Sequence, residues 1–198
     1  MDLQTLIALA GFAFATTWTP GPNNMMLASS GATFGWRPTV PHAMGVALGF
    51  PVMVFLIALG LGEVFQRVAL LKTALTWIGF AVMLWLAWRI ANAGAANARV
   101  RSRPLRFHEA AAFQWVNPKA WAMAIGVSAA YANGGEPLAE AALIAAVFVA
   151  AGLTSSQTWA AFGAGIGKAL GSGARLRAFN VTMALLLAAC ALWLVLDS

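Results

Sequence analysis

The amino-acid sequence predicts an all-α polytopic membrane protein, with one transmembrane domain over residues 1–198. Hydrophobic residues make up 61% of the chain and charged residues only 9%, whereas a soluble domain has about 25% charged residues. The apolar stretches are continuous, while the strands of a membrane barrel would alternate apolar and polar residues. Their lengths approach or exceed the roughly 20 residues that a helix needs to cross a bilayer.

Six transmembrane helices are expected. We place them at 3–34, 40–61, 73–93, 110–131, 138–162 and 178–196. The first stretch lacks the positive region of a secretory signal, because Asp2 is the only charge before Arg37. The single cysteine, Cys190, cannot form an intrachain disulfide, which excludes a dithiol redox carrier. We interpret it as a small apolar residue within a helix.

Prolines interrupt two of these stretches, one in each half of the chain. The interruptions read Thr19-Pro20-Gly21-Pro22-Asn23-Asn24 in the first stretch and Asn117-Pro118-Lys119 in the fourth. Lipid offers no hydrogen bonds, so non-helical backbone at membrane depth survives only where protein or a water-filled cavity satisfies it. Matched breaks in two halves indicate the substrate site of a transporter. The first and fourth helices are therefore predicted to be broken at proline.

Charge placement predicts how the chain is oriented in the membrane. The arginines of the only long polar connection, 94–109, indicate a cytoplasmic loop by the positive-inside rule, with both termini on the periplasmic side. The first repeat, about 1–93, and the second, about 110–198, then enter from opposite sides as 3+3 inverted-topology repeats. The net charge of +6 is assigned to this topology rather than to nucleic-acid binding; a lipid-binding patch is the alternative for the loop.

Glycines four residues apart permit close helix approach at two places. These are Gly45 with Gly49 and Gly163 with Gly167, the latter pair following the fifth predicted span. We expect packing within the chain first and a homodimer interface second.

Each proline break is interpreted as the restart of a half-helix. Pro22 suits the first helical position with Gly21 before it, and Asn117 is a good N-cap before Pro118. Such restarts leave free N–H groups and the positive end of the helix dipole at membrane depth. These ends favour an anion, for which a substrate carboxylate is the obvious candidate.

Lys119 lies in the first turn of the second restart, the unfavourable end of a helix for a cation. A lysine at mid-bilayer also costs roughly 2.5–3.5 kcal/mol on insertion scales. A substrate anion, backbone carbonyls or cavity water must compensate the charge. We favour the substrate anion, because ionisable residues within membranes are usually functional; carbonyl contacts from neighbouring helices are the alternative.

Other polar residues complete the predicted site. Gln114 and Asn117 are three apart and share a helix face, and the polar stretch 154–158 inside an apolar run is expected to face a cavity rather than to join helices. The predicted substrate-binding residues are Asn23, Asn24, Gln114, Asn117, Lys119, Ser155, Ser156 and Trp159, and the predicted hinge residues are Thr19, Pro20, Gly21, Pro22 and Pro118. Thr16, Thr17, Ser29 and Ser30 are weaker candidates, because such hydroxyls often bond to their own helix.

Several kinds of chemistry are disfavoured. No carboxylate lies deep in a predicted span, which disfavours a metal site, a site for a second positive charge on the substrate, and an aspartyl intramembrane protease. The sequence has no His-Glu-x-x-His, Gly-x-Ser-x-Gly or Gly-x4-Gly-Lys-Ser/Thr motif. We therefore expect no enzymatic activity, no catalytic residues, no cofactor and no metal.

At the breaks the sequence resembles the lysine exporter and homoserine/threonine exporter (LysE/RhtB) family of bacterial amino-acid exporters. The stretches that carry the resemblance are TPGPNNMMLASSGATFGWR at 19–37, GVALGF at 45–50, WIGFAVMLWLAWRIA at 77–91 and QWVNPKAW at 114–121. The resemblance implies a bacterial inner-membrane protein that expels amino acids, driven by an ion gradient, with H⁺ the expected coupling ion. It also implies a hinged centre formed by 20–23 with Asn117 and Pro118.

Within that family the likeness indicates a small neutral substrate. Asn-Pro-Lys resembles the homoserine/threonine branch, and Met123 stands where the basic-amino-acid branch usually carries an acid. The likeness is greatest to exporters of cysteine and O-acetylserine. We predict a secondary active exporter working by alternating access; a passive channel and a structural membrane protein are the alternatives. Lys119, His42 and Glu109 are the candidates for proton coupling.

Overall fold

In the computed structural model, residues 1–93, 103–132 and 135–196 are described, except for the side chains at 64–66 and 69. All regular structure in these ranges is helical, and no strand occurs in them. The all-α prediction is confirmed. Arg99 and Arg101 of the predicted cytoplasmic loop lie outside the described residues.

The helices follow one another with short connections. Their bounds are α1 Leu3–Trp18, α2 Pro22–Phe34, α3 Trp36–Leu56, α4 Gly62–Arg67, α5 Ala69–Ala91, α6 Phe107–Phe113, α7 Pro118–Tyr131, α8 Pro137–Leu170 and α9 Ala174–Leu196. A π-helical segment, Ile57–Leu61, joins α3 to α4, and a 3₁₀ turn, Gln114–Val116, follows α6. Gly35, at φ 86°, turns the chain from α2 into α3; a side chain would be strained there.

Among the described residues, four helical stretches are long and apolar enough to cross a membrane. They are Trp36–Leu61, Leu70–Ala91, Pro137–Leu170 and Ala174–Leu196. The protein is therefore a multi-pass membrane protein. The remaining two predicted spans are each built from shorter helices: α1 with α2, and α6 with α7. Within them α1 ends at Trp18, α2 begins at Pro22, and α7 begins at Pro118.

The fifth predicted span ends later than expected. The sequence places its end at 162, but α8 continues to Leu170, which gives it a length of about 51 Å for its 34 residues. Gly163 and Gly167 do not end the helix. Because they have no side chains, α8 packs closely against α2 at these positions. The end falls at Gly171, which has a φ of 68°.

The paired glycines pack within the chain, so the first interpretation of them is confirmed. A Cβ at Gly163 would collide with the carbonyl of Ala28, and one at Gly167 with that of Ala32, both on α2. Gly45 and Gly49 on α3 lie equally close to the backbone of α6 at 107 and 111. These glycine faces are thus covered by helices of the same chain.

Two apolar cores lie one after the other along α3 and α8, which contribute to both. The α2–α9 core contains Met26, Leu27, Ala43, Val46, Met83, Leu86, Ala87, Leu105, Ala110, Phe113, Ala160, Ala184, Leu187 and Ala191. The α1–α7 core contains Leu9, Ala13, Phe50, Met53, Val54, Ile57, Ala120, Ala124, Val127, Ile144, Phe148 and Ala151. The two helices of each broken pair thus belong to different cores, and both proline breaks lie at the junction between the cores.

Candidate functional site

A cavity of about 40 Å³, lined by both polar and apolar side chains, lies at this junction. Because one buried water needs roughly 10–15 Å³, the cavity has room for about three waters. We call it the central cavity; it is lined by Thr16, Thr17, Gly21, Asn23, Asn24, Val46, Phe50, Pro51, Asn117, Lys119, Ala120, Met123, Gly152, Ser155 and Ser156. Residues from both proline breaks therefore share one cavity.

The first restart presents uncapped backbone N–H groups at this cavity. No side chain caps Gly21, and Pro22 occupies the first helical position. The first bond of the helix runs from Met25 N to Gly21 O at 3.0 Å, so the N–H groups of Asn23 and Asn24 precede the helical ladder. The positive end of the α2 dipole therefore lies at the cavity wall.

The second restart is capped as the sequence predicts. Asn117 has extended backbone, and its Oδ1 accepts a hydrogen bond from Lys119 N at 3.2 Å. Trp121 N donates to Asn117 O at 3.2 Å, which begins the helix. One of the free N–H groups of α7 is thus satisfied by its own cap, so the two restarts are not equivalent.

The carbonyl end of α1 accepts hydrogen bonds from side chains of other helices. Asn24 Nδ2 donates to Thr17 O at 2.8 Å and to Thr19 O at 2.9 Å. Ser155 Oγ donates to Thr17 O at 2.8 Å, and Trp159 Nε1 donates to Trp18 O at 3.3 Å. A helix leaves its last four carbonyls without intrahelical partners, so these side chains donate the hydrogen bonds that lipid cannot provide.

Lys119 is a further donor to this end. Its Nζ donates to Thr19 Oγ1 at 2.7 Å, to Thr19 O at 2.8 Å and to Pro20 O at 3.4 Å. The ammonium that stands at the unfavourable start of α7 thus lies against the C-terminal end of α1, where the helix dipole favours a cation. The carbonyl contacts weighed as the alternative are present in the structure.

Gly21 allows this approach. A Cβ built on it would lie 2.7 Å from Lys119 Cδ, so a side chain at this position would displace the lysine. The two breaks are therefore in direct contact, joined by Lys119.

Gln114 and Asn23 form a second link between the breaks. Asn23 Nδ2 donates to Gln114 Oε1 at 2.9 Å, and Gln114 Nε2 donates to Asn23 Oδ1 at 3.1 Å. Gln114 Nε2 also donates to Ala110 O at 2.9 Å, and the side chain is fully buried. Gln114 and Trp159 do not line the central cavity, although the sequence predicts that they contact substrate.

Only part of the polar stretch 154–158 faces the cavity. Successive helical residues are about 100° apart, and Ser155 and Ser156 are the two that line it. Thr154 Oγ1 bonds to carbonyls of its own helix, and Gln157 Oε1 accepts from Trp36 Nε1 at 3.0 Å. Ser156 Oγ is buried and has no hydrogen-bond partner among the described residues.

The four weaker hydroxyl candidates divide into two pairs. Thr16 and Thr17 bond back to carbonyls of α1, at 2.7 Å each, as expected. Ser29 Oγ instead donates to Asn180 Oδ1 on α9 at 2.9 Å. Sequence reasoning missed Asn180, which also donates to Thr33 Oγ1 and to Ala93 O. A lone asparagine inside an apolar helix was the available signal.

Glu109, a candidate for proton coupling, is held as an ion. Arg103 donates to both of its oxygens, at 2.7 and 2.6 Å, and Arg106 N donates at 2.7 Å. These bonds, above all those from Arg103, lower the pKa of Glu109 to about 2. The ion pair with Arg103 therefore joins the connection before α6 to the first turn of that helix.

The chain belongs to the LysE type translocator family, whose model matches residues 14–198. It is similar to the cysteine/O-acetylserine efflux proteins of Salmonella paratyphi A and Salmonella typhi, each 36% identical over 122 residues. The corresponding protein of Escherichia coli K12 is 33% identical over 122 residues. The alignments cover 60% of this chain and 61% of each relative's length. No solved structure matches.

Proposed function

We propose that this protein is a secondary active exporter of small neutral amino acids, of the cysteine and O-acetylserine kind, in the bacterial inner membrane. The observation that carries the proposal is the central cavity, which both helix restarts and the carbonyl end of α1 line or close. Family membership and the names of the relatives support export as the direction.

The proposed topology has six spans in one domain. The pairs α1–α2 and α6–α7 each act as one broken span, so that 1–93 and 110–198 form inverted repeats with both termini periplasmic. The two cores support this arrangement. Residues of α1 and α7 meet in one core, and residues of α2 and α6 meet in the other, as expected if the second repeat enters from the opposite side.

The proposed binding mode exchanges one set of contacts for another. The substrate carboxylate meets the free N–H groups of α2 together with Lys119 Nζ. The substrate ammonium takes the Thr19 carbonyl that Lys119 leaves, and Ser156 supplies a hydrogen bond to the side chain. In the described part of the chain no carboxylate lines the cavity, so a second positive charge on the substrate would have no partner there.

The proposed hinge is the non-helical link of residues 19–21 with Pro22 and Pro118. Prolines offer no backbone N–H, so changing the angle at these positions breaks few hydrogen bonds. Lys119 and Asn24 bond to this link at Thr19, and Ser155 bonds to the carbonyl of Thr17 just before it, at the end of α1. Alternating access then requires these side chains to exchange partners, with proton movement as the proposed driving force.

Efflux assays test the role of Lys119. We expect Lys119→Ala to abolish efflux of loaded L-cysteine and O-acetyl-L-serine from cells while membrane insertion is retained. Lys168→Ala is the matched control, because Lys168 is an exposed lysine near the end of α8. Full efflux by Lys119→Ala would remove this residue from the mechanism. Uphill accumulation in proteoliposomes separates an exporter from a passive channel, which cannot move solute against its gradient.

Adjacent serines separate binding from stability. Ser155 donates to the Thr17 carbonyl, whereas Ser156 has no partner among the described residues. We expect Ser155→Ala to lower stability by about 1 kcal/mol, the net value of one hydrogen bond. Ser156→Ala should leave stability intact and raise the KM for efflux. Equal KM values for Ser156→Ala and the wild type would exclude Ser156 from the substrate site.

A further inference from the structure

A second cavity of about 40 Å³, lined by both polar and apolar side chains, lies beside α2, α3 and α5. We call it the His42 cavity; it is lined by Met26, Ser29, Ser30, Phe34, His42, Leu86, Arg89, Ile90, Ala93, Arg103 and Leu105. It shares no lining residue with the central cavity. The proposed binding mode does not use it.

His42 contributes an unsatisfied polar atom. The side chain is fully buried, its Nδ1 lies 3.2 Å from Ser30 Oγ, and its Nε2 has no partner in the described part of the chain. A neutral imidazole has one donor and one acceptor nitrogen, so either tautomer leaves one of them unpaired here. Such a group is expected to find a ligand or water.

The charges around the cavity leave an excess of positive charge. Arg103 is paired with Glu109 through both carboxylate oxygens. Arg89 Nη2 donates to the Arg103 carbonyl at 3.2 Å, and its guanidinium lies 4.8 Å from the centre of the Trp85 ring. Among the described residues no carboxylate is hydrogen-bonded to Arg89, so its charge is available to an anion.

The two cavities lie in series along α2 and α3. On α2, Asn23 lines the central cavity and Ser30 lines the His42 cavity. On α3, Phe50 lines the central cavity and His42 lines the cavity named after it. Met26, which lines the His42 cavity, and Val46, which lines the central cavity, both belong to the α2–α9 core. The connection at 103–109 lies at the His42 end, so this cavity is the nearer one to the proposed cytoplasmic side.

We propose that the His42 cavity is a second binding site, which takes the carboxylate of the amino acid before it reaches the central cavity. Arg89 pairs with the carboxylate, and His42 Nε2 and the hydroxyl of Ser30 contact it by hydrogen bonds. This inference rests on the proposed function for the direction of substrate movement, which runs from the cytoplasm towards the central cavity.

Trp85 provides a readout of binding that does not depend on transport, because its ring lies against Arg89. In purified protein in phosphatidylcholine nanodiscs, L-cysteine is expected to give a saturable change in tryptophan fluorescence. The change should vanish in Trp85→Phe, and Arg89→Gln should weaken the binding by about tenfold, as for one hydrogen bond to a charged group. Arg89→Lys should restore part of it. Cysteamine, which lacks the carboxylate, should give no change.

Three outcomes would overturn the proposal: a full response to cysteamine, an unchanged affinity for L-cysteine in Arg89→Gln, or a response that appears only when anionic phosphatidylglycerol is present, which would identify a lipid headgroup as the anion. Arg175→Gln is the matched control, since Arg175 is an exposed arginine at the start of α9 and lines neither cavity. Thermal unfolding of each variant excludes misfolding.

Transport kinetics then separate this inference from the proposed function. For substrate at the cytoplasmic face, Arg89→Gln is expected to raise KM about tenfold with kcat nearly unchanged. Unchanged KM in Arg89→Gln, with Lys119→Ala inactive, would overturn the second site alone. Absence of transport in the wild type would overturn the proposed function, while the fluorescence response would still report whether the site exists.

Discussion

The contact between α2 and α8 predicts opposite effects for two nearby glycine substitutions. At Gly163 a new Cβ would collide with the backbone carbonyl of Ala28. At Gly165, two residues further along the same helix, a new Cβ would meet nothing within 4 Å. Gly165→Ala is therefore a control matched in residue type, helix and position along the helix.

The expected magnitudes follow from two terms. Replacing glycine by alanine inside a helix stabilises it by about 0.5–1 kcal/mol, and this term is common to both variants. Overpacking at Gly163 costs about 1–3 kcal/mol, because the obstructing atoms are backbone and cannot rotate away. We expect Gly163→Ala to be less stable than Gly165→Ala by this second term.

Unfolding in mixed detergent micelles with increasing dodecyl sulfate, followed by circular dichroism, measures the difference. Gly165→Ala should unfold at the same or a higher dodecyl sulfate fraction than the wild type, and Gly163→Ala at a lower one. Coincident transitions for the two variants would refute the close approach of α2 and α8.

Two further predictions concern the hydrogen bonds of single polar side chains. Asn24→Ala removes two hydrogen bonds to the carbonyls of Thr17 and Thr19 and should lower stability in the same assay by about 1–3 kcal/mol; an unchanged midpoint would contradict these bonds. Arg103→Gln removes the main cause of the lowered pKa of Glu109, which should rise from about 2 towards 4.5. In the wild type the stabilisation from this pair is complete above pH 4.5 and lost as the pH falls through about 2. Infrared titration of the carboxyl band measures this pKa, and Glu109→Gln assigns the band. Protonation at the same pH in the wild type and in Arg103→Gln would contradict the prediction.

The sequence predicts those features of the site that depend on local rules. Pro22 and Pro118 occupy first helical positions, and Asn117 caps its own helix. Each of these follows from a few neighbouring residues, because the geometry of a helix start is set within one turn. The family could also be recognised, since the motifs around the breaks are contiguous.

Contacts between distant segments could not be predicted in the same way. Lys119 bonds to Thr19, 100 residues away, and Gln114 to Asn23, 91 residues away. A single sequence indicates that a buried amide or ammonium needs partners, but it does not name them. For this reason the sequence predicts Gln114 as a substrate contact but does not name Asn23, the amide with which it pairs.

The extent of α8 shows a related difficulty. Glycine has a poor intrinsic helix propensity, which favours ending the span before Gly163. In the structure this residue and Gly167 allow α2 to approach closely. Tertiary packing therefore outweighs local propensity, and that packing is invisible until the neighbouring helix is placed.

Pro51 lies inside α3 and lines the central cavity. It has no N–H, so the carbonyl of Ala47 one turn earlier receives no bond from it. Gly152 of α8 stands next to this carbonyl, and even a methyl group there would lie 3.3 Å from the oxygen. Although α3 continues through Pro51, the helix can therefore bend there without losing a backbone hydrogen bond. Like residues of the two breaks, Pro51 lines the central cavity.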